Sequence, residues 1–355
     1  MGLGSHWIPF DTFDYTHNAQ HYVADERLKD PGAFNLQQAI GPYDGQWYLI
    51  IAAHSYTSYH FSMSYAFAPL LPLLIAMVDL VLHNVVLSAF VAAQLILLAI
   101  FWLVYWLVVR WYDEHLAAKT AWLLLLYPFS IFYRSYFSEG LFLLLLVACM
   151  DAMRLRRWLA IALAVGGLIV TRFAGIAAEL VLAGQLWLHN PVRLTRRWAW
   201  VGLSLVPLAV FAVYCWVRSG DPLMFMAAQG KWFKPHSLLP GSALLWSVLH
   251  FWSLPWHSFH ASKLDVLSTL GAGLLLYFAR HWLPRVWWWL ALLLWLIPVF
   301  TTDTMSASRF QIVNLPLFLY AAHRLRGWQY AAVLMGCTLG LLLVSLRFVD
   351  WHWVG

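Results

Sequence analysis

An all-α, polytopic transmembrane helical bundle is the fold class this sequence predicts, and three observations predict it. Hydrophobic residues make up 62% of the 355 and mean hydropathy is +0.68. Charged residues make up only 11%, too few to coat a soluble surface of this size. Apolar runs recur along the chain with arginines near their ends, the pattern of spans alternating with loops. About ten spans are expected, with re-entrant or juxtamembrane helices in the first extracytoplasmic loop.

Taken in order, residues 1–61 read as an extracytoplasmic N-terminal segment and first loop. No basic-then-apolar signal region is visible in them, so no cleavable signal peptide is expected. Residues 62–217 read as a transmembrane core, with apolar runs at 62–82, 86–108, 117–133, 139–153, 158–171, 173–188 and 198–217. The first run carries Pro69, Pro72 and Asp79, which makes it the worst regular span and predicts a bent or re-entrant segment. Residues 218–263 form a long extracytoplasmic loop rich in aromatic residues and histidines. Residues 264–355 carry the C-terminal spans, with runs at 264–279, 286–300, 311–323 and 328–346.

Charge supports that layout. If residues 62–82 do not cross, then Arg110, Lys119, Arg154, Arg156, Arg157, Arg193, Arg196, Arg197, Arg280, Arg285, Arg324 and Arg326 all fall on one side, which the positive-inside rule makes cytoplasmic. The opposite side then receives the first loop, the turn from Arg134 to Glu139, Arg172, the long loop and Arg309. The net charge of +6 is thus a topology signal, and no basic patch interleaved with stacking aromatics indicates nucleic acid. Cys149, Cys215 and Cys337 lie in separate apolar runs, which disfavours disulfides and a cysteine metal site. His236, His250, His257 and His260 in the long loop match no strong ligand template. No metal site is therefore assigned and no cofactor is firmly implied, although imidazoles suit a divalent metal.

The stretch from Gly41 to Tyr56 is the most informative. Pro42 and Gly45 bracket Asp44 in a turn-forming context, and Trp47 to Ala53 reads as a short amphipathic helix. Asp44 either caps a helix beginning at Gly45 or Gln46, with Trp47 and Tyr48 as interfacial anchors, or presents a carboxylate at a membrane edge. Asp11 and Asp14 are back-up acids. Arg172 follows Gly166-Gly167 inside an apolar run, so it either snorkels from a helix end or takes a partner or an anionic ligand. Arg309, flanked by Ser306, Ser308 and Phe310, is either a surface arginine or a bidentate phosphate binder. Arg134 and Glu139 flank one tight turn and are placed to pair with each other.

The series Tyr43-Asp44-Gly45-Gln46-Trp47-Tyr48-Leu49 with Ile51-Ala52 and Tyr56 resembles the first-loop signature of the glycosylphosphatidylinositol mannosyltransferase (PIG-V-like) family. In that signature Tyr43 stands where the family has Trp and Ser55 where it has Gly. Phe67 to Pro72, Tyr136 to Phe142, Thr171 to Ile176, and Ser308-Arg309-Phe310 with Pro316-Leu317-Phe318 follow in the family's order. The resemblance covers about residues 41–325. It implies a GT-C-like fold and a GT-C-type glycosyltransferase that moves a hexose, mannose favoured, from a polyprenyl-phosphate-linked sugar donor to a lipid or glycan acceptor among the membrane lipids.

On that resemblance Asp44 is the general base. For such a transfer, the residues themselves make Glu139 the expected second acid, to hold the acceptor or a metal, Arg172, Arg309 and Arg134 the expected donor-phosphate binders, and Tyr43, Gln46, Trp47 and His54 the expected substrate-site lining. The family normally has a helix before the catalytic loop, and no such helix is seen in residues 1–61. The competing class is a transporter or flippase of lipid-linked intermediates, which should show repeated halves with interrupted helices. No such halves are evident. The chain has no Asn-x-Ser/Thr sequence, compatible with a bacterial inner membrane and a site facing the periplasm.

Overall fold

The structure is a computed structural model and describes residues 40–56, 61–189, 197–230, 239, 241–256, 261–300 and 304–354. Within these residues the secondary structure is helical, without strands. Asp11, Asp14, His236, His257 and His260 lie outside the described residues.

The first-loop helix, α1 (Asp44–His54), starts three residues earlier than expected. Gln46, Trp47, Tyr48, Leu49 and Ile51 are all buried, so it lacks the polar face of an amphipathic helix. Trp47 and Tyr48 belong to the core and do not anchor an interface. The apolar run at 62–82 is likewise not one helix. It divides into α2 (Phe61–Ser64) and α3 (Leu70–Leu82), with Pro69 as the N-cap and Pro72 in the first turn. Both prolines therefore sit where a helical amide has no intrahelical acceptor, and the missing donors cost nothing. Asp79 accepts a hydrogen bond from Ser88 Oγ at 3.0 Å, which accounts for the acid in this run.

Asn84 starts α4 (Val85–Trp111) by accepting from the Leu87 amide at 3.1 Å, and Asp113 caps α5 (Glu114–Leu126) at the Leu116 amide, 2.8 Å away. Pro128 ends α5, and the chain turns by 74° into the segment Pro128–Arg134, whose last turn is α6 (Ile131–Arg134). Then come α7 (Glu139–Arg154), α8 (Trp158–Thr171), α9 (Ile176–His189) and α10 (Trp198–Ser219). The long loop contains α11 (Met224–Gly230) and α12 (Ser242–Leu249), neither of which the hydropathy pattern indicated. The remainder is α13 (Lys263–Ala279), α14 (Arg285–Val299), α15 (Ala307–Phe310), α16 (Leu315–Arg324) and α17 (Gly327–Val349).

Three of these helices, α4, α10 and α17, are long and apolar enough to cross a membrane, or four if the bent pair of α5 and Pro128–Arg134 is one span. Shorter apolar helices, among them α3, α8 and α14, fill in around them. At the centre α8 packs on both α7 and α10. A Cβ at Gly166 would lie 2.9 Å from the Ser204 carbonyl oxygen, so glycine is what lets α8 and α10 approach this closely.

Candidate active site

Four charged residues that are far apart in sequence meet at the N-terminal end of α7. Their positions are set by two strained turns and one pinned loop. The loop before α1 lies against Tyr136, whose amide donates to the Ile40 carbonyl at 3.3 Å. A Cβ at Gly41 would fall 2.5 Å from the Tyr136 ring, so only glycine allows that approach. Tyr43 then adopts a left-handed conformation with φ 54°, uncommon outside glycine, and α1 begins at Asp44. The Tyr43 hydroxyl donates to the Trp351 carbonyl, and its ring meets Trp353 edge-on at 5.0 Å. No side chain caps the helix, so Asp44 is not the cap that one reading of the sequence made it.

Arg309 enters by a parallel device. Ser306, also left-handed at φ 61°, starts the single turn of α15. Ser308 locks that turn by donating its amide and its hydroxyl to Asp265 Oδ1, at 2.9 and 2.7 Å. Ser262 donates to Asp265 Oδ2 at 2.7 Å. The guanidinium of Arg309 is then held between the rings of Phe132 and Phe137, at 4.8 and 4.6 Å, where cation–π attraction replaces part of its lost hydration.

Arg309 bridges the two acids. Its Nη2 donates to Asp44 Oδ2 at 2.8 Å and its Nε to Glu139 Oε1. Arg172, which caps the end of α8 in an extended conformation, donates Nη1 to that same Glu139 oxygen and lies over the Phe310 ring at 5.0 Å. Two carboxylates and two guanidiniums thus cancel, which makes their burial tolerable. Burial works against the charge of Arg309, but Glu139 and Asp44 outweigh it and hold the guanidinium above its ordinary pKa. Glu139 is fully buried and Arg309 is 5% exposed, whereas Arg172 is 17% and Asp44 22% exposed. The accessible members are therefore one carboxylate and one guanidinium.

Glu139 Oε2 is buried without a hydrogen-bond partner among the described residues. An oxygen in that state is costly. Beside it, the Tyr48 hydroxyl donates to Ser138 Oγ at 2.9 Å, and burial pushes the Tyr48 phenol above its usual range.

The expected pairing of Arg134 with Glu139 is not formed. Arg134 Nη2 reaches instead to the Leu125 carbonyl at 3.4 Å, because α6 carries the side chain back toward the end of α5. Gln46 donates to the Gly41 carbonyl and supports the loop, while Trp47 stacks on Phe67 at 5.8 Å. His54 is exposed at the far end of α1, about 15 Å from Asp44 along the helix axis. Three participants were not anticipated: Asp265, and the sandwiching Phe132 and Phe137. Ser262-x-x-Asp265 ahead of an apolar run has capping-box spacing, a signal that could have picked out Asp265.

His250 shares a hydrogen bond through Nδ1 with the Trp246 carbonyl at 2.9 Å and stacks on that ring. No group of three or more His, Cys, Asp or Glu side chains able to hold a metal occurs among the described residues. In comparisons with known proteins, no family model, curated protein or solved structure matches this chain.

Proposed function

We propose that this protein is a multi-pass, GT-C-type membrane glycosyltransferase with Asp44 as its general base. The observation that carries the reading is the partly exposed Asp44 carboxylate, held by the buried Arg309 to a second, fully buried acid. A carboxylate oriented by a guanidinium points in one direction, a requirement for taking a proton from an acceptor hydroxyl.

In the proposed reaction the acceptor oxygen attacks C1 of a hexose, mannose favoured, on a polyprenyl-phosphate donor. The bond from C1 to the phosphate oxygen breaks, the hydroxyl proton passes to Asp44, and polyprenyl phosphate leaves. Arg172, the more exposed guanidinium, is the residue assigned to the departing phosphate, where positive charge stabilises the transition state. Arg309 is assigned the task of positioning Asp44, since its Nε and Nη2 already hold the two acids and its side chain is buried. Glu139, fully buried, is assigned the task of holding both guanidiniums in place. About ten membrane crossings, with the site on the periplasmic face of a bacterial inner membrane, complete the reading.

The test is transfer itself. Purified protein in detergent, incubated with labelled polyprenyl-phosphate mannose and a panel of lipid acceptors, should move label to an acceptor. Movement of intact labelled donor across a vesicle bilayer without any transfer would overturn the proposal in favour of a flippase.

A further inference from the structure

A cavity lies at the other end of α7. Trp111, Tyr112, Met153, Arg154, Gln185 and Trp287 line a cavity of about 270 Å³ where α4 and α7 end and α14 begins. The run from Glu139 to Arg154 rises about 22 Å, so this cavity is remote from the four-charge cluster.

Its chemistry differs from that of the first site. The walls are aromatic, with Trp111 and Trp287 packed at 4.7 Å and Tyr112 stacked on Trp282 at 5.2 Å. Asp151, the carboxylate beside it, is already engaged: it accepts from Trp111 Nε1 at 3.2 Å and lies 3.9 Å from Arg110. Arg154 is exposed and has no carboxylate partner among the described residues, and Arg156 and Arg157 follow it, also exposed. The cavity therefore offers an uncompensated guanidinium and the Gln185 amide inside an aromatic wall.

Its depth in the membrane is marked as well. Between about one and a half and three turns back along α4, Trp102 and Trp106 are stacked at 5.9 Å on the exposed surface, and Arg110 lies over Trp106 at 4.4 Å. Exposed tryptophans capped by a basic residue at the end of an apolar helix occur at the level of lipid headgroups. Basic pockets between spanning helices at that level suit anionic headgroups.

The geometry points to a binding site for the phosphate of an anionic phospholipid, with Arg154 and Gln185 on the phosphate oxygens and the tryptophans against the glycerol. A guanidinium is suited to this because it donates two parallel hydrogen bonds to one phosphate. The volume holds a headgroup, which leaves the acyl chains on the apolar outer faces of the helices. This site is independent of the proposed transfer chemistry.

The test is native mass spectrometry of the full chain in neutral detergent, titrated with phosphatidylglycerol, with phosphatidylcholine, or with sn-glycerol 3-phosphate. One phosphatidylglycerol should be retained preferentially. Arg154→Ala should weaken that first binding about tenfold, the loss of one charge-assisted contact. Gln185→Leu should weaken it less, and Arg280→Ala, outside the cavity, should leave it unchanged. Equal retention of phosphatidylcholine, wild-type binding by both cavity variants, or an equal loss in Arg280→Ala would each overturn the site. Saturation by glycerol 3-phosphate alone would assign it to a soluble phosphate ester instead of a lipid.

Discussion

Ser308 gives Asp265 both its amide and its hydroxyl, at 2.9 and 2.7 Å, and so fixes the single helical turn that delivers Arg309. Asp265→Ala would leave these donors buried and unpaired together with the Ser262 hydroxyl. A destabilisation on the order of 3 kcal/mol is expected, because each buried polar group left without a partner costs about 1–3 kcal/mol. Thermal unfolding in detergent measures it, and Asp265→Asn, which retains one acceptor, should lose less.

Asp44→Asn separates a chemical role from a structural one. The amide keeps the shape but cannot take a proton, so transfer should fall about 10²- to 10⁴-fold, while stability falls less than in Arg309→Met because the amide oxygen still accepts from Arg309. Unchanged turnover in a working transfer assay would assign Asp44 to support of Arg309 alone.

Arg309→Met should be the most damaging single change. It leaves Asp44 without its partner and Glu139 fully buried beside Arg172 only, and breaking a buried pair costs about 3–5 kcal/mol. Arg172→Met should cost less stability, since that side chain is partly exposed, and should chiefly raise the donor KM and lower kcat. The comparison requires unfolding curves and transfer kinetics on both variants.

Gly41→Ala tests the loop without touching a charge. The added methyl would meet the Tyr136 ring at 2.5 Å and force the loop or the ring aside, at a cost of about 1–3 kcal/mol. Transfer should fall more than stability, because Asp44 is displaced along with the loop.

Alkaline pH should loosen the fold through buried phenols. Burial holds Tyr48 and Tyr56 above their ordinary pKa of 10.0, so above that pH the unfolded chain loses these protons before the folded one does. Stability is then complete below pH 10 and declines as pH rises beyond it. Tyr48→Phe should flatten that decline, which unfolding midpoints measured between pH 9 and pH 11 would reveal.

Much of the helical framework was legible because burial in a bundle leaves long apolar runs. The run 158–171 coincides with α8, and 139–153 differs from α7 by one residue. The breaks were harder to read. Pro128 divides the run 117–133, and a proline inside an apolar stretch is a visible warning that length alone overrode. Helices α11 and α12 were missed because each is short and set among prolines and histidines. The site was legible one residue at a time: Asp44, Glu139, Arg172 and Arg309 stand out as charges in apolar surroundings, which must find partners. Who pairs with whom was not, since Asp44 and Arg309 are brought together over 265 positions and no periodicity encodes that contact. Nearness in sequence pointed to Arg134 for Glu139, but the intervening turn sends it elsewhere.

The aromatic clamp on Arg309 has a consequence for how the protein is made. Phe348, near the end of α17, packs on Phe132 at 5.4 Å and on Phe137 at 5.9 Å, and Tyr43 rests on Trp351 and Trp353. The ribosome delivers the parts of this cluster in the order Asp44, Glu139, Arg172, Arg309 and then the aromatic buttress behind them. Glu139 and Arg172 can neutralise each other as soon as α8 is made, but Asp44 lacks Arg309 until most of the chain has been synthesised. Nascent chains halted before residue 309 should therefore hold Asp44 without its guanidinium partner, and a carboxylate-modifying reagent should label Asp44 faster in them than in the finished protein.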